Sequence, residues 1–295
     1  MTTDRSELTS RVIPQMVLNE RPAPPPPLPQ DSAPAARAAA RFALQGTAIV
    51  TGGAGDLGLA TCRALLEHGL QNLVIFDLHG PEQADAAMQG LQADFPQANI
   101  VILRVDVTNA EMVNSAVAAA VQMYTSIDIL ICLAGIVSTV HAAELPPETF
   151  RKVLDVNTTG SFLCAQAVAK FMIRSGKGGS IILVASISAH RVNFPQPQVH
   201  YNVAKAGVLA MKSSLAAEWA RYGIRVNSIS PGYMNTILNE GDGLEECRKI
   251  WASRNPMGRM GEPDELTGII VLLASRAGSY ITGADFIVDG GQSVF

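Results

Sequence analysis

The chain has 295 residues, 48% of them hydrophobic and 16% charged, apolar matter enough for one large core or two small ones. Its 22 Lys and Arg stand against 26 Asp and Glu, and a net charge of -4 provides no basic field to collect phosphates along a nucleic acid. Cys62, Cys132, Cys164 and Cys247 lack metal-ligand spacing and mostly lie in apolar stretches, so reduced thiols, a cytoplasmic location and no metal site are expected.

Residues 1–41 differ in composition from the rest. Pro22, Pro24 to Pro27, Pro29 and Pro34 stand among Ala, Gln and Ser, which favours a flexible, extended segment. A docking motif for a proline reader is the alternative, although prolines alone name no partner. Asp4, Glu7, Glu20 and Asp31 argue against an organellar transit peptide, and no apolar run before Phe42 resembles a secretory core. No stretch is long enough to span a bilayer, so no membrane partner is expected.

After Gly46 short β-branched runs alternate with longer amphipathic ones, the pattern of a parallel sheet wrapped by crossover helices. The first strand is expected at Thr47 to Thr51. It runs into Thr51-Gly-Gly-Ala-Gly-Asp-Leu-Gly58, a glycine-rich turn that presents backbone N–H groups at a helix N-terminus and suits a pyrophosphate. The second strand, Asn72 to Asp77, ends in a carboxylate 19 residues after Gly58. Placed there, Asp77 accepts hydrogen bonds from ribose hydroxyls and repels a 2′-phosphate, so NAD is favoured over NADP. A turn or capping aspartate is the alternative. Further strands are expected at Ile100 to Val105, Ile127 to Leu133, Ser180 to Ala185, Arg225 to Ile229 and Phe286 to Asp289. Residues 42–295 therefore read as a single-domain, doubly wound α/β parallel sheet, a Rossmann fold with helices on both faces.

In the helix after the fifth strand, Tyr201-Asn-Val-Ala-Lys205 sets a phenol beside an ammonium, because residues four apart share a helix face. A phenol keeps its proton at neutral pH, and a neighbouring positive charge makes it a usable proton donor and acceptor. A core tyrosine beside a solvated lysine is the bland alternative, so the surroundings decide.

The TGxxxxxG turn, the strand ending in Asp106-Val107, the Ala134-Gly135 pair, Asn157, and Tyr201 with Lys205 together resemble the short-chain dehydrogenase/reductase family over residues 44–295. The resemblance implies a nicotinamide cofactor and a homo-oligomer, often a tetramer. It implies that Tyr201 exchanges a proton with the substrate oxygen and that a serine hydrogen-bonds the same atom. Lys205 would hold the nicotinamide ribose and lower the tyrosine pKa, while Asn157 supports a water beside it. Two serines compete for the serine role: the commoner family spacing favours Ser188, 13 residues before Tyr201, and the strand register from Gly179 favours Ser186, 15 before it. Ser186 is expected, with Ser188 lining the pocket. The implied cofactor contacts are Gly52, Gly55, Asp56, Leu57, Gly58, Asp77, Asp106, Val107, Ala134, Gly135, Tyr201, Lys205, Pro231, Gly232 and Thr236, with Ile229 also near the nicotinamide. The implied substrate contacts are Ser186, Ser188 and Tyr201, and residues 235–254 would form a mobile flap over them.

Two positions depart from the family pattern. Asp56 stands where a middle glycine belongs and brings a carboxylate towards the pyrophosphate unless its side chain points away. Cys132 and Leu133 replace two asparagines, with an expected change in sheet-edge hydrogen bonding. The segment Asn193 to Gln198, the N-terminal extension and the Pro231-Gly-Tyr233 loop resemble fungal-type polyol and ketose reductases, which implies a small-molecule alcohol or ketone substrate. His141, His190, Asn193, Gln196 and Gln198 are candidate hydrogen-bonding groups for a polyhydroxylated substrate, or else solvated loop residues. A tailoring ketoreductase with a more apolar pocket, and a dinucleotide-binding scaffold without turnover, are the competing readings.

Overall fold

The computed structural model describes residues 12–18, 25–28, 33–80 and 86–295. Among these residues, strands β1 (Thr47–Thr51), β2 (Asn72–Asp77), β3 (Asn99–Arg104), β4 (Ile129–Cys132), β5 (Gly179–Val184), β6 (Ile224–Pro231) and β7 (Asp285–Val288) form one parallel sheet. Their order is β3-β2-β1-β4-β5-β6-β7. The strands fall within a residue or two of expectation, most plainly β1, β2, β4 and β5, whose burial on both faces makes each a nearly unbroken apolar run. The third strand stops at Arg104 rather than Val105, and the sixth continues to Pro231, paired with Val288.

Alternation along each strand divides the core in two. Ile49, Val74, Phe76, Leu130, Ile181 and Leu183 face α4 (Ala110–Tyr124), α6 (Ser161–Ser175) and α7 (Val199–Trp219). Val50, Leu73, Ile75, Ile131 and Ile182 face α2 (Asp56–Glu67), α3 (Ala86–Asp94) and α9 (Thr267–Ala274). Each fully buried aliphatic side chain contributes about 1.5–3 kcal/mol, so truncating Leu130 or Ile131 at the sheet centre costs about 2–5 kcal/mol. Asn109 caps α4 by accepting from the N–H groups of Glu111 and Met112, both at 3.0 Å.

The chain leaves β1 towards β2 on one side and returns through β4 on the other, so the strand order reverses between β1 and β4. At that point the loops after the two strands diverge and open a cleft. Substituting Cys132 and Leu133 leaves the sheet intact there: β4 pairs with β1 and β5 on both sides, and Leu133 N–H still reaches Thr51 O at 3.1 Å.

At the N-terminal side, α1 (Pro34–Phe42) begins on a proline, whose missing N–H costs nothing in a first helical turn. It crosses the boundary expected at residue 41, and none of its side chains is buried. Within the extension, Pro26 O accepts from Arg276 Nη2 at 2.5 Å. Pro22, Pro24, Pro29, Asp4, Glu7, Glu20 and Asp31 lie outside the described residues. Among the described residues no helix is long and apolar enough to cross a membrane.

Candidate active site

The cofactor turn is shaped by what its glycines lack. Gly52 has φ +67°, and a Cβ there would stand 2.8 Å from Ala134 N; one on Gly58 would stand 2.2 Å from Gly52 O. Only hydrogen fits at either position, so the turn folds tightly and opens the N-terminus of α2 to the cleft. The cleft has a volume of about 930 Å³ and is lined by Gly52, Gly55, Asp56, Leu57, Gly58, Asp77, Asp106, Val107, Ala134, Gly135 and Thr236. Asp77 accepts from Ala54 N–H at 3.1 Å and from His79 N–H at 3.2 Å, which fixes the carboxylate at the rim with lone pairs to spare. Asp106 turns onto Thr108, accepting from its N–H at 2.9 Å and its hydroxyl at 2.7 Å. A cradle that no Cβ can enter, beside a helix N-terminus and a fixed carboxylate, fits a dinucleotide.

Asp56 lines the cleft with its carboxylate engaged by the chain itself. Its Oδ2 accepts from Ile237 N–H at 2.7 Å and so ties the cofactor turn to the start of the segment expected as a flap. At the other end of that segment, α8 (Glu245–Ser253) buries Trp251, which stacks on Tyr233 with ring centroids 4.1 Å apart and planes 4° from parallel. The segment is therefore anchored at both ends, and Leu238 and Asn239 between the anchors line the neighbouring cavity.

That cavity, of about 160 Å³, holds the reacting end. Tyr201 and Lys205 lie one turn apart on α7, with the Lys205 ammonium 5.5 Å from the Tyr201 ring centroid. Lys205 is 4% exposed and donates to Val184 O at 2.8 Å. Burial pushes it down to about 8. Burial also pushes Tyr201 up to about 12, with a hydrogen bond to Ser186 acting in the opposite direction. The direction is opposite to the lowering expected from Lys205: desolvation of the phenolate is the largest influence on Tyr201. Ser186 lies just past the end of β5, where its Oγ donates to Ser188 Oγ at 3.1 Å, and Gln198 reaches Ser188 at 3.4 Å. Both serines line the cavity with Tyr201.

Asn157 sits in a wide π-helical turn, Asp155–Gly160, inserted between α5 (Pro147–Leu154) and α6. Its Nδ2 donates to Ile136 O at 2.8 Å and Val153 O at 2.9 Å. Its Oδ1 is buried without a partner among the described residues. A Cβ on Gly135 would stand 2.6 Å from that oxygen and 3.7 Å from Lys205 Nζ, so Gly135 keeps a narrow space open between Asn157 and Lys205.

Pro231 and Gly232 line the cavity as expected, whereas Ile229 is fully buried in the sheet, paired between Val184 and Phe286. Asn193, Gln196 and Gln198 reach the lining; His141 and His190 do not. His190 instead bonds Asp285 at 2.9 Å and Ser230 at 3.2 Å behind the sheet end. Tyr233, Ile136 and Asn239 are lining residues that the sequence reading did not assign, although the Pro-Gly-Tyr loop was the available signal for Tyr233.

The family model described as enoyl-(acyl carrier protein) reductase matches residues 52–293. The D-arabinitol 2-dehydrogenase (ribulose-forming) of Candida tropicalis is 38% identical over 256 residues, covering 82% of this chain and 90% of that one. The NADP-dependent mannitol dehydrogenase of Alternaria alternata is 34% identical over 256 residues, covering 86% and 94%. A short-chain type dehydrogenase/reductase from Mycobacterium marinum, a solved structure, superposes with a TM-score of 0.80 at 38% identity, covering 86% of this chain and 98% of that one. With the fold, the cradle and the Tyr201 cavity in one frame, the chain belongs to the short-chain dehydrogenase/reductase family and is an NAD(P)-dependent oxidoreductase of CH–OH groups.

Proposed function

We propose that this chain interconverts a polyol and its ketose, with Tyr201, Ser186, Lys205 and Asn157 as the reacting set. One observation carries the reading: Tyr201 and Ser186 line a cavity whose wall carries side-chain amides and hydroxyls between its apolar residues. Asn193, Gln196, Gln198, Asn239 and Ser188 suit a polyhydroxylated substrate better than the apolar ketone of a tailoring enzyme. The arabinitol and mannitol dehydrogenases among the relatives support the same substrate class.

A bound nicotinamide would supply the hydride acceptor for a carbinol carbon, or the hydride donor for a carbonyl carbon. Tyr201 accepts the hydroxyl proton during oxidation and returns it to the carbonyl oxygen during reduction. Ser186 donates to that oxygen and fixes its position. Lys205, held by Val184 O, keeps a cation within reach of the phenol, and Asn157 Oδ1 is the acceptor left for a water beside it. With burial holding Tyr201 at about 12, the phenol form dominates at neutral pH, so reduction is favoured there and oxidation rises as the pH is raised.

The turn from Gly52 to Gly58, with Ala134, Gly135, Pro231, Gly232 and Thr236, would hold the cofactor. Asp77 supports NAD over NADP, because a second negative charge beside its fixed carboxylate is unfavourable. The NADP-dependent mannitol dehydrogenase relative is the reason to test both. Residues 42–295 are the catalytic unit in this reading. Buried thiols at Cys62, Cys132 and Cys164 support a reducing, cytoplasmic setting. Exposed Tyr280, Ile287, Val294 and Phe295, on and near the edge strand β7, support a homo-oligomer, which light scattering would measure.

A panel of pentitols, hexitols and ketoses with NAD and NADP, in both oxidation states, tests the proposal. Turnover of a polyol or ketose with NAD preferred is the expected result. Turnover confined to apolar ketones, or none at all, would reject it.

A further inference from the structure

One wall of the substrate cavity is a chain of hydrogen bonds running in from α8. Trp251 Nε1 donates to Gln196 Oε1 at 3.1 Å. An indole N–H is only a donor, so this contact fixes the orientation of the Gln196 amide and leaves Nε2 facing Tyr233, whose hydroxyl oxygen it reaches at 3.0 Å. Asn193 Nδ2 donates to the same oxygen at 2.8 Å. Both lone pairs of the Tyr233 hydroxyl are then occupied, and its proton has no acceptor among the described residues. Stacking on Trp251 holds the ring in place. Asn193 Oδ1, on the neighbouring amide, is buried and also without a partner among the described residues.

An unused donor and an unused acceptor therefore stand together in the lining of the cavity that contains Tyr201 and Ser186. Among common substrate groups, an aliphatic hydroxyl satisfies both, because it accepts and donates at one oxygen. We propose that Tyr233 and Asn193 form a subsite that reads a second hydroxyl of the substrate, distinct from the one oxidised. The substrate hydroxyl accepts the Tyr233 proton and donates to Asn193 Oδ1. A substrate with a methylene at that position leaves both buried groups unmet, and a site built in this way discriminates strongly against the analogue. Trp251, outside the lining, acts as a positioning residue, and Gln196 relays its hold to the phenol. The inference rests on the polyol reading and goes beyond it by naming the residues that select the polyol.

The test compares kcat/KM for arabinitol or mannitol with that for 2-butanol or cyclohexanol in the full chain and in Tyr233→Phe. Phenylalanine retains the ring and its stack on Trp251. The preference for polyol over monoalcohol should fall about 10- to 100-fold, mostly through a higher KM for the polyol, while the pH profile of kcat stays where Tyr201 sets it. Asn193→Ala, read in the same way, should lower the preference in the same direction. In the double variant the combined loss should be smaller than the two single losses multiplied, because both act on one hydroxyl. Equal losses on both substrate types would make the network a framework and overturn the inference, as would an unchanged preference in both variants. Failure of the unmodified chain to oxidise any polyol would instead overturn the proposed function and take this inference with it.

Discussion

The two ends of the cleft are made of different material. At the cofactor end the fit is made by absent atoms: Gly52 and Gly58 leave room that a single methyl would close, and the chain presents backbone N–H groups. At the reacting end it is made by side chains, and two of them, Asn157 and Asn193, keep a buried Oδ1 without a partner among the described residues. The contrast teaches where each function is vulnerable. A backbone cradle fails by steric intrusion and takes binding with it, whereas a side-chain site can lose chemistry or selectivity while binding survives.

Mutations at the two ends should keep these failures apart. The largest effect is expected from Ser186→Ala, which removes the donor beside Tyr201 and should lower kcat about 10²- to 10³-fold, with cofactor affinity held near its original value. Ser188→Ala should cost far less, since that hydroxyl touches Ser186 and Gln198 rather than the phenol. Steady-state kinetics with fluorescence titration of the cofactor would separate the two quantities, and equal losses for the two serines would erase the distinction.

Gly58→Ala attacks the other end. A Cβ placed 2.2 Å from Gly52 O forces the turn apart, so cofactor affinity should fall about 10- to 100-fold in a titration. Normal affinity would mean that the turn relaxes without consequence. Asp77→Ala should narrow the preference for NAD over NADP about tenfold, measured as the ratio of the two kcat/KM values. An unchanged ratio would move cofactor selection to another residue. The smallest effect belongs to Asp56→Gly, which frees one end of the segment over the cavity. Hydrogen exchange at the Ile237 amide should quicken about fivefold, with the melting temperature nearly unmoved. Unaltered exchange would show that Asp56 does not hold the segment.

The same contrast explains what could be read from the chain alone. Strand positions were legible because β1, β2, β4 and β5 are buried on both faces and are written as continuous apolar runs. The glycine turn, Asp77 and the Tyr201–Lys205 spacing were legible because local geometry dictates them. The direction of the Tyr201 shift was not, since helical spacing reports the neighbouring ammonium but says nothing of the desolvation that raises the phenol. Nor was the orientation of Asp56, whose partner Ile237 is supplied by a distant loop. His190 resembled a substrate ligand because its link to Asp285 is made only when β6 and β7 pair. The Tyr233, Gln196 and Trp251 chain likewise joins three loops and helices that no local pattern connects.

The account depends most directly on the Tyr201 hydroxyl as the proton donor and acceptor at the substrate oxygen. The measurement that tests this is NADH absorbance during polyol oxidation by Tyr201→Phe beside the unmodified chain, paired with a cofactor titration of each. Loss of turnover by about 10³-fold or more, with cofactor affinity retained, is the predicted result. Turnover at the unmodified rate would contradict the account, since the phenyl ring keeps the shape of the site and lacks only the proton.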